Sequence, residues 1–216
     1  MAEKQHSKTY EITYEVLNSV THGIGVIGAI VGAVFIYLGL STHSHTAKTT
    51  VALAIYIISV MTFLLASTLF HALVFTKAKK VFQFFDHSGI YLVIIGSYTP
   101  YTWLFMPSQQ GMIIWWLIVG LSAAGILYDL FFVGRWPWVS VIIYIVLGWL
   151  IIFALPSLHN SLSSAALWLL VAGGVTYSLG ALVYLFPKLP MNHLYWHVFV
   201  LGGATFMYIS IYISVF

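Results

Sequence analysis

A chain of 216 residues that is 61% hydrophobic and only 6% charged cannot be a soluble domain, because no core of that size hides so much apolar surface. With no cysteine, a disulfide framework and any thiolate metal site are excluded, so a bound metal must rely on His, Asp, Glu or water. The formal net charge is only +3, and the few basic residues read as topology determinants rather than nucleic-acid contacts, so no nucleic-acid partner is expected.

Residues 1–14 form a short polar N-terminal segment with Glu3, Lys4, Lys8 and Glu11. No small-residue cleavage site follows Leu40, so the first apolar stretch is expected to stay as a helix. Seven stretches of roughly the 20 residues needed to cross a bilayer then follow in order. They cover 15–40, 50–75, 84–106, 111–133, 138–156, 165–186 and 192–215, with connectors at 41–48, 76–81, 107–110, 134–137, 156–164 and 187–190. Gly25, Gly28 and Gly32 in the first stretch, and Gly202, Gly203 and Ala204 in the last, are spaced for close helix packing. Trp103, Trp115, Trp136, Trp138 and Trp196 fall near stretch ends, where interfacial aromatics belong. The expected fold is all-α: residues 1–216 as one seven-helix transmembrane bundle.

Basic residues set the orientation. With a cytoplasmic N-terminus, Lys4, Lys8, Lys77, Lys79, Lys80, Arg135 and Lys188 share the inner side and only Lys48 lies outside. This predicts an extracytoplasmic C-terminus. It also puts His71, Asp86, His193, His197, Glu15, Asn18, His22 and Asp129 at one depth, near the cytoplasmic leaflet. His43, His45 and His159 fall in loops on the far side and read as solvated.

An ionisable group inside such oily segments needs a partner. Ser67-x-x-x-His71 and His193-x-x-x-His197 each put two polar groups on one helix face, with Cβ atoms about 5–6 Å apart. Two imidazoles so placed can grip one metal ion, and a third from another helix nearly completes a tetrahedral site. Plainer readings stand beside this one. A lone intramembrane His is more often a helix-contact hydrogen bonder, and His-x-x-x-His also suits residues near a loop. Ser67 can bond its own helix carbonyl. Asp129 can pair with Arg135 or cap its helix end.

Four motifs in order carry a resemblance: Glu15-Val-Leu-Asn18-Ser-Val-Thr-His22, Ser67-x-x-x-His71, Phe85-Asp86-His87-Ser88-Gly89-Ile90 and His193-x-x-x-His197. Together they resemble the signature set of the haemolysin III family, which belongs to the progestin and adipoQ receptor group and is related to the alkaline ceramidases. The resemblance implies a seven-helix bundle holding zinc near its cytoplasmic side, with His71, His193 and His197 as direct ligands. It implies that Asp86 holds a water on the zinc or ligates the ion, and that Ser67 lies beside that water. Glu15, Asn18 and His22 match the family's first-helix motif and are assigned a supporting task around the ligands.

Three His ligands leave a fourth position open, as catalytic zinc sites do. Asp86 would then act as the base and Ser67 as an oxyanion donor in hydrolysing a lipid amide or ester. Ceramide-like amides come by analogy with the relatives, membrane lipid is the expected partner, and the expected location is a bacterial plasma membrane. Two other classes are carried: a cytolytic or pore-forming protein, and a receptor-like lipid sensor in which zinc only braces the helices.

Overall fold

The computed structural model describes residues 7–42, 44–132, 135–186 and 188–216. Lys4, His43, Val133, Gly134 and Pro187, which entered the sequence reading, lie outside these residues. Every element among the described residues is helical: α1 (Lys8–Thr42), α2 (Ala47–Ala72), α3 (Lys79–Leu104), α4 (Ser108–Phe132), α5 (Pro137–Trp149), α6 (Leu155–Ser161), α7 (Ser164–Tyr184) and α8 (Asn192–Val215). A 3₁₀ stretch, Leu150–Ala154, joins α5 to α6, so the two form one rod across Pro137–Ser161.

Local chemistry explains most boundaries. Thr46 caps α2 by accepting from the Thr49 N–H at 3.2 Å, and Ser163 caps α7 by accepting from Ala166 N–H at 3.2 Å. Pro137 opens α5, where a missing N–H costs nothing. Pro156, expected to end its helix, instead sits in the first turn of α6 after the 3₁₀ stretch. The expected 156–164 connector is therefore mostly helix, and His159 lies in α6 rather than in a loop, though it is still exposed. At the other end, α1 begins at Lys8 instead of residue 15, which draws Tyr14 into the helix.

Successive long helices alternate in direction and close a ring. α1 packs on α2, α2 on α3, α3 on α4, the α5–α6 rod against α3, α4 and α7, and α7 on α8, which returns to α1. Tyr56, Tyr91, Tyr101, Leu53 and Ile118 fill the interior. Hydroxyls buried this deeply need partners. Tyr101 donates to Ser210 Oγ (2.8 Å), which donates to Ala166 O (2.7 Å), while Tyr98 donates to Leu147 O (2.8 Å) and Tyr208 to Gly32 O (2.9 Å). Trp196 is not an interfacial anchor: it packs on Gly180 and lines an internal cavity.

The outer face is apolar, with Ile24, Ile27, Val34 and Phe35 of α1 all exposed. Among the described residues, six helices are long and apolar enough to cross a membrane, counting Pro137–Ser161 as one. The chain is a multi-pass membrane protein. α3 falls outside the six, although its 26 residues equal α2 in length, because polar residues run through it from Lys79, Lys80, Gln83, Asp86 and His87 to Ser97, Thr99 and Thr102.

Of the first-helix glycines, Gly25 receives Leu201 and Gly32 receives Tyr208, but Gly28 meets nothing. The tightest backbone approach is at Gly111, where an added Cβ would strike the Thr102 carbonyl oxygen. Gly111→Ala should cost about 1–3 kcal/mol by overpacking, read as a lowered melting temperature in detergent, whereas Gly28→Ala should leave it unchanged.

Candidate metal centre

Four helices supply the site at one end of the ring. α2 brings Ser67 and His71 in its last turns, and α8 brings His193 and His197 in its first two. α1 runs alongside with Glu15, Asn18 and His22, each near the next turn of the helix, and α3 contributes Asp86. Met191, in the left-handed region at φ 55°, turns the chain into α8 just ahead of His193.

One ring nitrogen from each of His71, His193 and His197 can be chosen so that all three lie within 4.8 Å of one another. His71 Nε2 and His193 Nε2 are 3.2 Å apart. Tetrahedral zinc with Zn–N of about 2.0–2.1 Å needs ligand nitrogens roughly 3.3 Å apart, so this pair already has the spacing. The outer nitrogens are held by groups that can only accept. His71 Nδ1 donates to Glu15 Oε2 at 2.6 Å, and His197 Nδ1 donates to the Asn18 carbonyl at 3.2 Å. That leaves Nε2 of both rings to offer a lone pair, which is how outer partners orient metal-binding imidazoles.

The surroundings carry polar atoms with nothing to bond. Asn18 Oδ1 and Nδ2, both nitrogens of His22 and Ser67 Oγ are buried and have no hydrogen-bond partner. Such groups are costly in a membrane interior. Their gathering around three converging imidazoles fits a site built for an ion and its polar companions. Thr68 bonds its own helix at Leu64 O (2.7 Å), but Ser67 does not, so the backbone-bonding reading of Ser67 fails. His22 stacks on His197 with centroids 3.6 Å apart and planes 13° apart, buttressing that ring rather than joining the three ligands.

Asp86 is buried at 7% exposure but is not in the three-imidazole set. It lines a cavity of about 30 Å³ whose wall also includes His193, Tyr184 and Trp196. Sequence reasoning missed Tyr14 and Asn192. The Tyr14 hydroxyl accepts from the His193 backbone N–H (3.1 Å) and lies 3.5 Å from Asn192 Oδ1, and Asn192 Nδ2 donates to Tyr184 O (2.8 Å). The available signal was spacing, since Tyr14 precedes Asn18 by one turn on the face that Asn18 and His22 share. The pairing of Asp129 with Arg135 is also corrected. The Arg135 guanidinium lies over the Trp136 ring at 4.7 Å, and Asp129 faces inward, accepting from Ser140 Oγ (3.2 Å) and Tyr144 OH (3.4 Å).

The model of the haemolysin-III-related family matches residues 10–208, nearly the whole chain. The chain belongs to the haemolysin III family. It is 39% identical over 211 residues to Hemolysin-3 of Bacillus cereus, covering 98% of this chain and 96% of that one. It is 36% identical over 202 residues to the Hemolysin-3 homolog of Bacillus subtilis (strain 168), covering 94% of each. More distantly, it is 25% identical over 201 residues to the human monocyte to macrophage differentiation factor, covering 90% of this chain and 82% of that one, which links it to the progestin and adipoQ receptor group. The four motifs that pointed to haemolysin III all lie inside the matched region.

If Glu15 orients His71, Glu15→Ala should weaken divalent-metal affinity about 10–100-fold, measured by competition with a chelator. Glu15→Gln, which still offers an accepting oxygen, should lose less.

Proposed function

We propose that this haemolysin III protein is a zinc-dependent hydrolase of lipid amides or esters working in a bacterial plasma membrane. We also propose that it crosses the membrane seven times, with its N-terminus in the cytoplasm. The observation that carries the catalytic reading is the junction of three imidazoles with a cavity lined by Asp86. That cavity shares Ile90, Tyr144, Ala181 and Trp196 with an apolar one of about 110 Å³ between α3, α5, α7 and α8. A small cavity with a few polar groups beside an oily slot suits a lipid whose scissile bond joins a head to a chain. The seventh crossing is supported by α3, which packs between α2 and α4, and the orientation by the basic residues near the His71 end.

The donor set favours zinc: three imidazoles in a chain with no cysteine thiolate. When bound, the ion supplies Lewis acidity, polarising a carbonyl oxygen and easing the loss of a proton from water near neutral pH. His71, His193 and His197 hold it, and Glu15 and the Asn18 carbonyl fix the first and last of these rings. The Asp86 carboxylate takes a proton from the attacking water. As the carbonyl carbon loses its bond to nitrogen or oxygen, Asp86 returns that proton to the departing atom. The Ser67 hydroxyl, unpartnered beside His71, donates to the oxyanion.

One observation favours a second reading, in which zinc is a brace. His71 and His193 are 122 residues apart in sequence and tie α2 to α8, with Glu15 adding α1. Purified wild type should contain about one zinc per chain, and His71→Ala and His193→Ala/His197→Ala should contain none. Asp86→Asn should keep zinc while turnover of fluorescent short-chain amides and esters falls about 10²–10⁴-fold. Full turnover by Asp86→Asn would remove Asp86 from the base role, and no turnover by zinc-loaded wild type would sink the hydrolase reading. Absence of turnover in zinc-loaded wild type, with unfolding on chelation, would leave the brace.

A further inference from the structure

Asp129 is a second buried carboxylate, on α4, that the three-imidazole site does not use. It is fully buried, and among the described residues no Lys or Arg lies within ion-pair distance of it. It accepts from Ser140 Oγ at 3.2 Å and from Tyr144 OH at 3.4 Å, and Tyr144 OH also lies 3.2 Å from the His87 carbonyl. A hydroxyl has one proton. Ser140 gives its proton to Asp129, and Tyr144 gives its proton to Asp129 or to His87 O. Towards anything else, both hydroxyls are therefore acceptors.

Ser140 and Tyr144 line the cavity that also holds Asp86 and His193, and Asp129 stands behind them. That wall thus carries one carboxylate and two acceptor-set hydroxyls. The basic groups on the lining are His87 and His193, and His193 Nε2 is turned towards His71. The aromatic rings of Phe63, Tyr184 and Trp196 complete the enclosure, surfaces that attract cations. At about 30 Å³ the chamber takes one or two water-sized groups and no more.

We propose that the Asp86–Ser140–Tyr144 wall, set by Asp129, is a subsite for a nitrogen bearing hydrogen-bond donors: the N–H of a lipid amide or the ammonium its cleavage releases. The lipid amide in this statement rests on the hydrolase reading, whereas the preference for a donor-bearing nitrogen rests on the wall alone. Tyr144 touches the ligand and Asp129 is a positioning residue. The wall selects amides over esters, since an ester offers no donor on the leaving side.

The test uses the full-length, metal-loaded protein in phosphatidylcholine nanodiscs, titrated with dodecylamine, dodecanol or dodecanoate and followed by thermal stabilisation. Wild type should bind dodecylamine about tenfold or more tighter than dodecanol, the worth of one hydrogen bond to a charged group, and should not bind dodecanoate at this subsite. Tyr144→Phe should lower the amine-to-alcohol ratio severalfold, the remainder being held by Asp86 and Ser140. Asp129→Asn should lower the ratio by a smaller factor, since Tyr144 keeps the His87 carbonyl as its acceptor while Ser140 loses a carboxylate to donate to. A purely structural Asp129 would lower the ligand-free melting temperature and leave the ratio intact, which overturns the proposal. Equal binding of amine and alcohol by wild type overturns it too. Amine preference without turnover of any amide would sink the hydrolase reading and keep this subsite. Turnover without amine preference would sink the subsite alone.

Discussion

An imidazole placed among hydrocarbon side chains loses its hydration, and His71 recovers part of that loss through Glu15, whose carboxylate lies 2.6 Å from Nδ1. This contact joins α1 to α2 at their polar ends and fixes which nitrogen of His71 looks inward. From there the rest of the site follows. His193 meets His71 across the ring at 3.2 Å, His197 stands one turn further along α8, and His22 stacks on it from α1. Without the carboxylate, His71 would be free to turn its ring or its tautomer, and the three nitrogens would no longer converge.

The bundle treats its polar groups differently at its two ends. Around Tyr98, Tyr101 and Tyr208, hydroxyls pair with backbone carbonyls or with Ser210, a closed arrangement that serves packing. Around the imidazoles, by contrast, Asn18, His22 and Ser67 keep polar atoms with no protein partner. Unpartnered atoms also occur elsewhere, at Trp103 Nε1, Ser122 Oγ and Tyr128 OH, so the site is marked by convergence on three imidazoles rather than by lack of partners alone.

Much of this was legible in the sequence because bilayer thickness and helical periodicity are strong rules. The last helix runs over Asn192–Val215, the expected range, and the i, i+4 pairs land on facing surfaces. What stayed hidden depended on contacts between distant segments. Tyr14 looked like part of a polar leader because nothing local says that its hydroxyl meets His193 178 or more residues away. Asp129 looked like a partner for nearby Arg135, but Trp136 takes the guanidinium and Ser140 and Tyr144 take the carboxylate. Pro156 read as a stop because its effect depends on whether the preceding turn is α or 3₁₀. Asp86 shares a cavity wall with His193, a placement that depends on how α3 and α8 come together.

The separation of His71 from His193 also fixes when the centre can exist. The sequence separation of 122 takes about 6–24 s to synthesise at rates of roughly 5–20 residues per second. Throughout that interval α2 carries one imidazole with only Glu15 to meet it. Convergence of the three imidazoles is therefore the last event in assembly, dependent on insertion of α8 and its return to α1. A chain truncated before Asn192 holds one of the three imidazoles and cannot close the cluster, so the cluster is a signature of finished topology.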